Sequence, residues 1–407
     1  MTDDAELFLH IVQEKNEPGE TPTVPETDAQ PLRRKKPTKR RTLLLLIILA
    51  VLVAVGLVTY RNGTGLDILH RHIKVTSLGG NGDGTYGNYT FENDANSAFT
   101  AFGDALLVAS PHSVRILDGA GGEIYREETD MEKPLISRGT ATAAVYEAGG
   151  KNLRIYDGDG LVASLDFDEI LAVTLNRSDW LAVTETGGGY KGRVWVYDDR
   201  QTVRYTYNSS GHFITDAAVT EDNKRLAAVA VGQEDGAFLS RILFFSLNSS
   251  EQESEMPLPD RFVTYVGSVK GKLAFVTDNG LTTVNPNGAQ LGDYAYNDFY
   301  LRACSFGGDG YVTLLLGRYK SGNIGALMTL NERGELIAAQ EVNREVLSLS
   351  AAGKYVAVLF PEKLTVYTAD DMKIYFEREN TRYRRVFLRE DGTVMLVSET
   401  DACVLVP

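Results

Sequence analysis

Hydrophobic residues in this chain fall into short runs that recur with a period of about 40 residues from Ala98 onward. Each unit contains four such runs, rich in Val, Leu and aromatic residues, separated by turns that contain Gly with Asp or Asn. Runs of this kind predict β-strands, and a repeat of four strands is typical of the blade of a β-propeller. The pattern therefore predicts an all-β fold of the propeller class. The third run shows the repeat best; its copies begin at Ser113, Asn152, Arg193, Ile242, Leu281, Leu327, Lys363 and Ala402.

The eighth unit of the repeat is incomplete. It begins at Arg382, supplies three runs and stops at Pro407, whereas units one to seven each continue into a fourth run, the weakest being Ser250–Glu255. An unpaired third strand would leave an open sheet edge and break the ring. The eighth unit therefore needs a fourth strand from elsewhere in the chain.

The segment before the first unit is the expected source of this strand. His72–Leu78 and Tyr86–Glu92 both have the required length and alternation. We predict a propeller of eight blades, the eighth closed by an N-terminal strand that lies outermost, beside Ala402–Val406. A ring of seven blades, in which the residues from 382 onward share a blade with unit one, is the alternative.

Residues 1–60 follow a different pattern. Thr42–Tyr60 is an uncharged run of 19 residues, long enough to cross most of a bilayer as one helix, and residues 33–41 before it hold seven Lys or Arg. By the positive-inside rule the N-terminus stays in the cytoplasm and the residues after 61 are exported. A cleaved signal peptide is the competing interpretation, but the preceding tail is long and no small-residue cleavage site follows the run. We predict a single-pass protein of the cell membrane, held by a signal anchor, with its propeller outside.

These patterns divide the chain into four parts. Residues 1–41 form a cytoplasmic tail with the basic block at 33–41, residues 42–60 a transmembrane helix, 61–96 a linker with the closing strand, and 97–407 the propeller. The tail is expected to be mostly disordered, because residues 20–37 combine four prolines with Thr, Glu and Asp. Residues 4–15 contain a cluster of apolar side chains that could dock on a cytoplasmic partner.

The charge of the chain lies almost entirely after the apolar run. Residues 1–60 contain as many basic as acidic residues, so the formal net charge of −14 belongs to the remainder. A domain this acidic is a poor nucleic-acid binder, and we expect no nucleic-acid partner.

Few residues in the sequence indicate catalytic chemistry. Cys304 and Cys403 fall in non-adjacent blades, too far apart for a disulfide, and each is expected to be a small buried residue. His70 and His72 could share one side of a strand, but no further ligands complete a metal set. Repeated Asp- and Gly-rich turns such as Asp157–Gly160 are expected to serve folding rather than calcium binding. With no G-x-S-x-G elbow either, we expect no catalytic residue, cofactor or metal.

The order of cytoplasmic tail, basic block, single span and exported propeller with VYD-like runs resembles a domain-of-unknown-function family of membrane-anchored bacterial proteins. The resemblance covers residues 33–407 and extends more loosely to WD40-type and YVTN-type propellers. Its motifs are structural, and Gly211-His212 is the one copy of the GH dipeptide that WD40 repeats carry. No functional residue can be transferred on this basis.

The leading functional hypothesis is a non-enzymatic, membrane-tethered propeller that binds or scaffolds a protein or polymer of the bacterial cell envelope. A single-pass receptor that relays external binding to the tail, and a propeller hydrolase, are the alternatives. Three long links between second and third runs, in units three, four and six, predict one uneven face that binds the partner. Two of these links, Gly187–Arg193 and Gly317–Gly325, supply the candidate binding residues Tyr190, Lys191, Arg193, Arg318, Tyr319 and Lys320.

Overall fold

The computed structural model describes residues 84–92, 94–102, 105–234, 237–380 and 382–407, together with Ile47 and Val51. The described residues form eight four-stranded antiparallel sheets, and the inner strands of all eight surround one channel. This arrangement confirms the prediction of an all-β, eight-bladed propeller, and the seven-bladed alternative is wrong.

The strands are numbered in chain order, and each blade starts at the channel and runs outward. β1 (Thr85–Thr90) belongs to blade 8. Blade 1 contains β2 (Ala98–Phe102), β3 (Ala105–Ala109), β4 (Ser113–Leu117) and β5 (Glu123–Glu128). Blade 2 contains β6 (Leu135–Arg138), β7 (Ala143–Tyr146), β8 (Asn152–Tyr156) and β9 (Leu161–Asp166). Blade 3 contains β10 (Glu169–Leu175), β11 (Leu181–Gly187), β12 (Tyr190–Tyr197) and β13 (Val203–Ser209). Blade 4 contains β14 (Phe213–Val219), β15 (Arg225–Glu234), β16 (Ala237–Ser246) and β17 (Gln252–Pro259).

The second half of the ring repeats this order. Blade 5 contains β18 (Val263–Val269), β19 (Lys272–Thr277), β20 (Gly280–Val284) and β21 (Gln290–Ala295). Blade 6 contains β22 (Tyr300–Ser305), β23 (Tyr311–Gly317), β24 (Ile324–Asn331) and β25 (Leu336–Asn343). Blade 7 contains β26 (Ser348–Ala352), β27 (Tyr355–Leu359), β28 (Lys363–Thr368) and β29 (Ile374–Glu379). Blade 8 contains β30 (Arg385–Leu388), β31 (Val394–Val397) and β32 (Asp401–Leu405), with β1 outermost.

Closure of the ring depends on β1, which pairs antiparallel with β32. Tyr86 lies opposite Val404 and Tyr89 opposite Ala402, and both tyrosines are fully buried. Of the two proposed closing segments, Tyr86–Glu92 is therefore the correct one. The other, residues 72–78, lies outside the described residues.

The hydrophobic core consists of eight clusters, each formed by two neighbouring blades. The cluster between blades 8 and 1 joins Tyr86 and Tyr89 to Leu106 and Val108 of β3 and to Met395 of β31. Because each blade buries both faces, its middle strands are apolar throughout rather than alternating, as the sequence pattern indicated.

The constant turn between third and fourth strands has a side-chain origin. In blade 1 the Asp118 carboxylate accepts backbone N–H bonds from Ala120 (2.9 Å) and Gly122 (2.8 Å). Asn285 holds the turn of blade 5 through bonds of the same kind from Asn287 and Ala289. Asp and Asn side chains stabilise such turns by satisfying backbone N–H groups locally. These bonds support a folding role for the repeated Asp and Asn turn residues.

The fourth strand of blade 4 was placed wrongly from the sequence. The weak run Ser250–Glu255 is replaced by β17, which begins at Gln252 and extends to Pro259, burying Met256 and Leu258. Its prolines are tolerated because an outermost strand does not need every N–H for pairing. The two prolines are the reason that the sequence pattern did not predict the full length of β17.

The apolar run 42–60 lies largely outside the described residues; Ile47 and Val51 within it are helical. No helix in the described part of the chain has the length and hydrophobicity needed to span a bilayer.

The candidate binding face and the central channel

Three blades carry lengthened hairpins between their second and third strands: β11–β12 in blade 3, β15–β16 in blade 4 and β23–β24 in blade 6. Every blade starts at the channel and runs outward as a meander, so all such hairpins lie on one side of the ring. The links from one blade to the next lie on the same side. We call this side the uneven face.

In blade 3 the inserted residues extend the two strands of the hairpin rather than forming a loop. Tyr190, Lys191 and Arg193 were expected on a loop, but they lie in β12, and only Gly188 and Gly189 form the turn. Both glycines have positive φ, 60° and 82°, as a two-residue hairpin turn requires. The inserted residues continue the strand ladder, with Tyr190 opposite Gly187 and Arg193 opposite Glu185 and an irregularity of register between these pairs.

Glu185 holds this hairpin through buried hydrogen bonds. Its carboxylate is 2% exposed and accepts hydrogen bonds from the Trp195 indole (2.7 Å), the Arg193 guanidinium (3.0 Å) and the Asp168 backbone N–H (2.8 Å). The Arg193 guanidinium also lies over the Tyr190 ring, at 5.4 Å from its centroid. Arg193 therefore supports the hairpin and orients Tyr190.

The hairpin of blade 6 keeps a true loop, residues 318–323, which contains Arg318, Tyr319 and Lys320. The Arg302 guanidinium donates hydrogen bonds to the carbonyls of Tyr319 (2.6 Å) and Gly322 (3.3 Å), which fixes the loop over β22. Tyr319 itself is 56% exposed. The Tyr319 side chain is therefore exposed to solvent, while hydrogen bonds from Arg302 fix the loop backbone that carries it.

Lysines of the two hairpins lie over exposed aromatic rings. The Lys191 ammonium is 5.3 Å from the centroid of Phe213, the first residue of β14, and the Lys320 ammonium is 5.8 Å from that of Tyr300, the first residue of β22. Lys191 also donates a hydrogen bond to the Gly211 carbonyl (3.1 Å). Cation–aromatic pairs at exposed sites are weak, and they leave the outer faces of both groups available to a ligand.

Sequence reasoning missed an aromatic rim at the start of the inner strands. Phe213, Phe262, Tyr265, Phe299 and Tyr300 come from three consecutive blades, and each remains at least 36% exposed. The inner strands of blades 3 to 6 each contain a β-bulge after their first residues, whereas those of the other four blades pair regularly. Bulges redirect side chains. An aromatic residue at or near the start of the first run in units four, five and six was the sequence signal for the rim.

A channel of about 1190 Å³ passes through the middle of the ring and is lined by inner-strand residues of all eight blades. Serine hydroxyls join neighbouring inner strands: Ser137 accepts the Leu175 N–H (3.0 Å), and Ser350 accepts the Leu388 N–H (2.9 Å). These bonds tie blade 2 to blade 3 and blade 7 to blade 8. The channel wall is thus held by side chains as well as by the core clusters.

Asp216 lines the channel at blade 4. Its carboxylate accepts bonds from the Ala217 N–H (2.7 Å) and the Thr174 hydroxyl (3.2 Å). Burial raises the pKa of Asp216 to about 6, although both hydrogen bonds act in the opposite direction. Burial, and secondarily the Asp216 carboxylate, raise the pKa of Tyr146 to about 12.

We expect Asp216→Asn to make the stability of the propeller less dependent on pH. The folded chain binds the Asp216 proton more tightly than the unfolded chain, whose carboxyl pKa is about 3.9, so the contribution of Asp216 to stability decreases between about pH 4 and pH 6. The variant should match the wild type below pH 4 and exceed it by about 2–3 kcal/mol above pH 6. Urea unfolding of both proteins across this range measures the difference. Asp159→Asn, at an exposed turn, is the control, and an equal difference at pH 4 and pH 7 would contradict the assignment.

The two cysteines are unpaired, as predicted. Cys403 is buried, with its sulfur 3.0 Å from the Tyr383 hydroxyl, whereas Cys304 is only half-buried, so the expectation of full burial was wrong there. Burial nevertheless raises the pKa of the Cys304 thiol to about 12. Among the described residues, no group of three or more His, Cys, Asp or Glu could hold a metal ion; His70 and His72 lie outside them.

Comparison with solved structures supports the propeller architecture. The chain is similar to the C-terminal WD40 domain of Sif2, with a TM-score of 0.57, 11% identity, and coverage of 79% of this chain and 98% of that one. It is equally similar to the computationally designed Ika8 protein, with a TM-score of 0.57, 10% identity, and coverage of 78% and 99%. A eukaryotic initiation factor matches with a TM-score of 0.51, 10% identity, and coverage of 76% and 83%. At such identities the likeness concerns the fold alone.

No curated protein sequence matches this chain. One family model does match, over residues 83–404, a range that begins just before the closing strand β1 and ends within β32. The match thus spans the whole ring, including the strand that closes it. The chain belongs to the family of unknown function DUF5711.

Proposed function

We propose that this protein is a membrane-tethered, extracytoplasmic binding or scaffold module of the bacterial cell envelope, without enzymatic activity, and that its uneven face binds a protein partner. The anchor and the orientation rest on the apolar run 42–60 and the basic block 33–41. The binding role rests on the uneven face.

One observation carries the binding role: the lengthened hairpins and the aromatic rim lie on the same side of the ring. Tyr190 and Tyr319 rise from the hairpins, while Phe213 and Tyr300 begin the inner strands between them. Aromatic residues and arginine are enriched in the cores of protein interfaces, and loops on a rigid scaffold commonly bind partners. Internal contacts hold both hairpins, so a partner would pay little entropy for ordering them.

We expect the double variant Tyr190→Ala/Tyr319→Ala to lose partner binding while the propeller stays folded. Exposed aromatic residues at an interface centre typically contribute enough that their removal weakens binding by at least about tenfold. The measurement is quantitative recovery of cross-linked partners by the full-length chain in its native cells. Ile374→Ala, an exposed residue of the outer strand β29, is the matched control. Equal recovery by the tyrosine double variant and the control would exclude the uneven face as the binding surface.

A further inference from the structure

A second cavity of about 650 Å³ lies beside the channel in blades 6, 7 and 8. It shares Ser305, Ser350 and Phe387 with the wall of the channel, so the two spaces adjoin. Arg384 and Arg385 line it at the start of β30, which places them at the uneven-face end of the channel. We call this space the arginine pocket.

All charged residues that line the arginine pocket are positive. It contains two arginines and no Asp, Glu, Asn or Gln, although the chain as a whole holds 55 acidic and 41 basic residues. Neither guanidinium forms an ion pair with a described residue, and Arg385 instead lies over the Phe99 ring, at 5.6 Å from its centroid. Arg385 is exposed, yet the protein around it lowers the pKa of its guanidinium by desolvation.

Two acidic residues on this side of blades 7 and 8 form ion pairs with other arginines. Arg382 pairs with Asp401 (3.0 Å), and Arg344 pairs with Glu362. By contrast Arg318 and Lys320, in the loop of blade 6 on the same face, have no carboxylate partner among the described residues. Since neither Arg384 nor Arg385 forms an ion pair with a described residue, their positive charges are available to a ligand.

The polar groups of the arginine pocket are suited to donate hydrogen bonds. Ser348 and Ser350 accept backbone N–H bonds from Val386 (3.2 Å) and Leu388 (2.9 Å), which leaves their hydroxyl protons able to donate into the pocket. Arginine guanidinium groups are donors in every protonation state found in proteins. Carboxylates accept such bonds, and charge-assisted bonds are the stronger class.

We infer that the arginine pocket binds the acidic side chains of an extended polypeptide segment of the partner. This assignment rests on the proposed binding role of the uneven face. Charge complementarity requires an anionic ligand, and the adjoining aromatic rim is typical of a protein interface. A sugar chain would also need acceptor side chains for its hydroxyls, whereas a polypeptide needs to insert only its carboxylates.

Fluorescence anisotropy with the purified full-length chain in a nonionic detergent tests this assignment. The probe is a short fluorescein-labelled oligoglutamate peptide, compared with oligolysine and with labelled oligogalacturonate, a carboxylated polysaccharide. We expect saturable binding of oligoglutamate that is tighter than binding of oligogalacturonate and that weakens as salt is raised. Arg384→Gln/Arg385→Gln should weaken it by at least about tenfold for each arginine removed. Arg126→Gln, an exposed arginine on the outer strand β5, should bind as the wild type does.

Two results would overturn the inference: the double variant keeps its affinity for oligoglutamate, or oligogalacturonate binds more tightly than oligoglutamate. If the double variant unfolds, Arg384→Gln alone still tests the pocket, because this side chain is exposed and lies outside the strand. The partner-recovery experiment with Tyr190→Ala/Tyr319→Ala tests the uneven face independently of the peptide titrations. The arginine pocket can therefore fail while the proposed function stands.

Discussion

Replacing Tyr89 with alanine should cost the propeller about 3–5 kcal/mol, because it removes a fully buried aromatic ring from the junction that closes the ring. Tyr89 lies opposite Ala402 on β32 and packs against residues of blades 8 and 1. Urea unfolding of the full-length chain measures the change.

The neighbouring variant Asn88→Ala is the matched control for Tyr89→Ala. Asn88 lies in the same strand, but its side chain is exposed, so its replacement should change stability by no more than about 0.5 kcal/mol. A Tyr89→Ala protein that unfolds at the same urea concentration as the Asn88→Ala protein would show that β1 is not needed to hold the ring.

Replacing Glu185 with alanine should destabilise blade 3 by about 3–5 kcal/mol, the usual cost of removing one partner of a buried ion pair. The change would leave the Trp195 indole and the Arg193 guanidinium without their shared acceptor. The hairpin should then open at Gly188 and Gly189, which limited proteolysis of the full-length chain would detect as a new cleavage.

Two further variants separate the charge of Glu185 from its hydrogen bonds. Glu185→Gln keeps an acceptor for Trp195 and should lose less stability than Glu185→Ala. Glu169→Ala removes an exposed carboxylate from the facing strand β10 and should alter stability only slightly. If Glu185→Ala were no more sensitive to protease than Glu169→Ala, the buried network would not be what holds the hairpin.

The fold could be predicted from the sequence because every blade repeats the same order of strands and turns. Buried middle strands are continuous apolar runs, and the turn after the third strand needs Asp or Asn in nearly every copy, as at Asp118 and Asn285. The need for a closing strand followed from counting: three strands after Arg382 cannot complete a blade. The closing strand could therefore be predicted from the need to pair backbone N–H and C=O groups, without knowledge of side-chain packing.

The candidate site could be predicted only in outline. The long hairpins were visible as insertions, yet their continuation as strands depends on cross-strand pairing that a single segment does not reveal. Arg193 was expected to face a ligand, but the buried Glu185 that binds it lies eight residues earlier, across the hairpin. The arginine pocket was missed because Arg384 and Arg385 line one cavity with serines of blades 6 and 7, which are far away in the sequence.

Pairing between β1 and β32 also determines when folding can finish. β1 is synthesised before every other strand of the propeller, and β32 is synthesised last. Until Leu405 has left the ribosome, Tyr86 and Tyr89 have no partner strand, and the open ring exposes one edge at each end. Contacts this distant along the chain form slowly, because a long loop must close before they stabilise anything. Synthesis of β32, rather than of any earlier blade, therefore allows the ring to close.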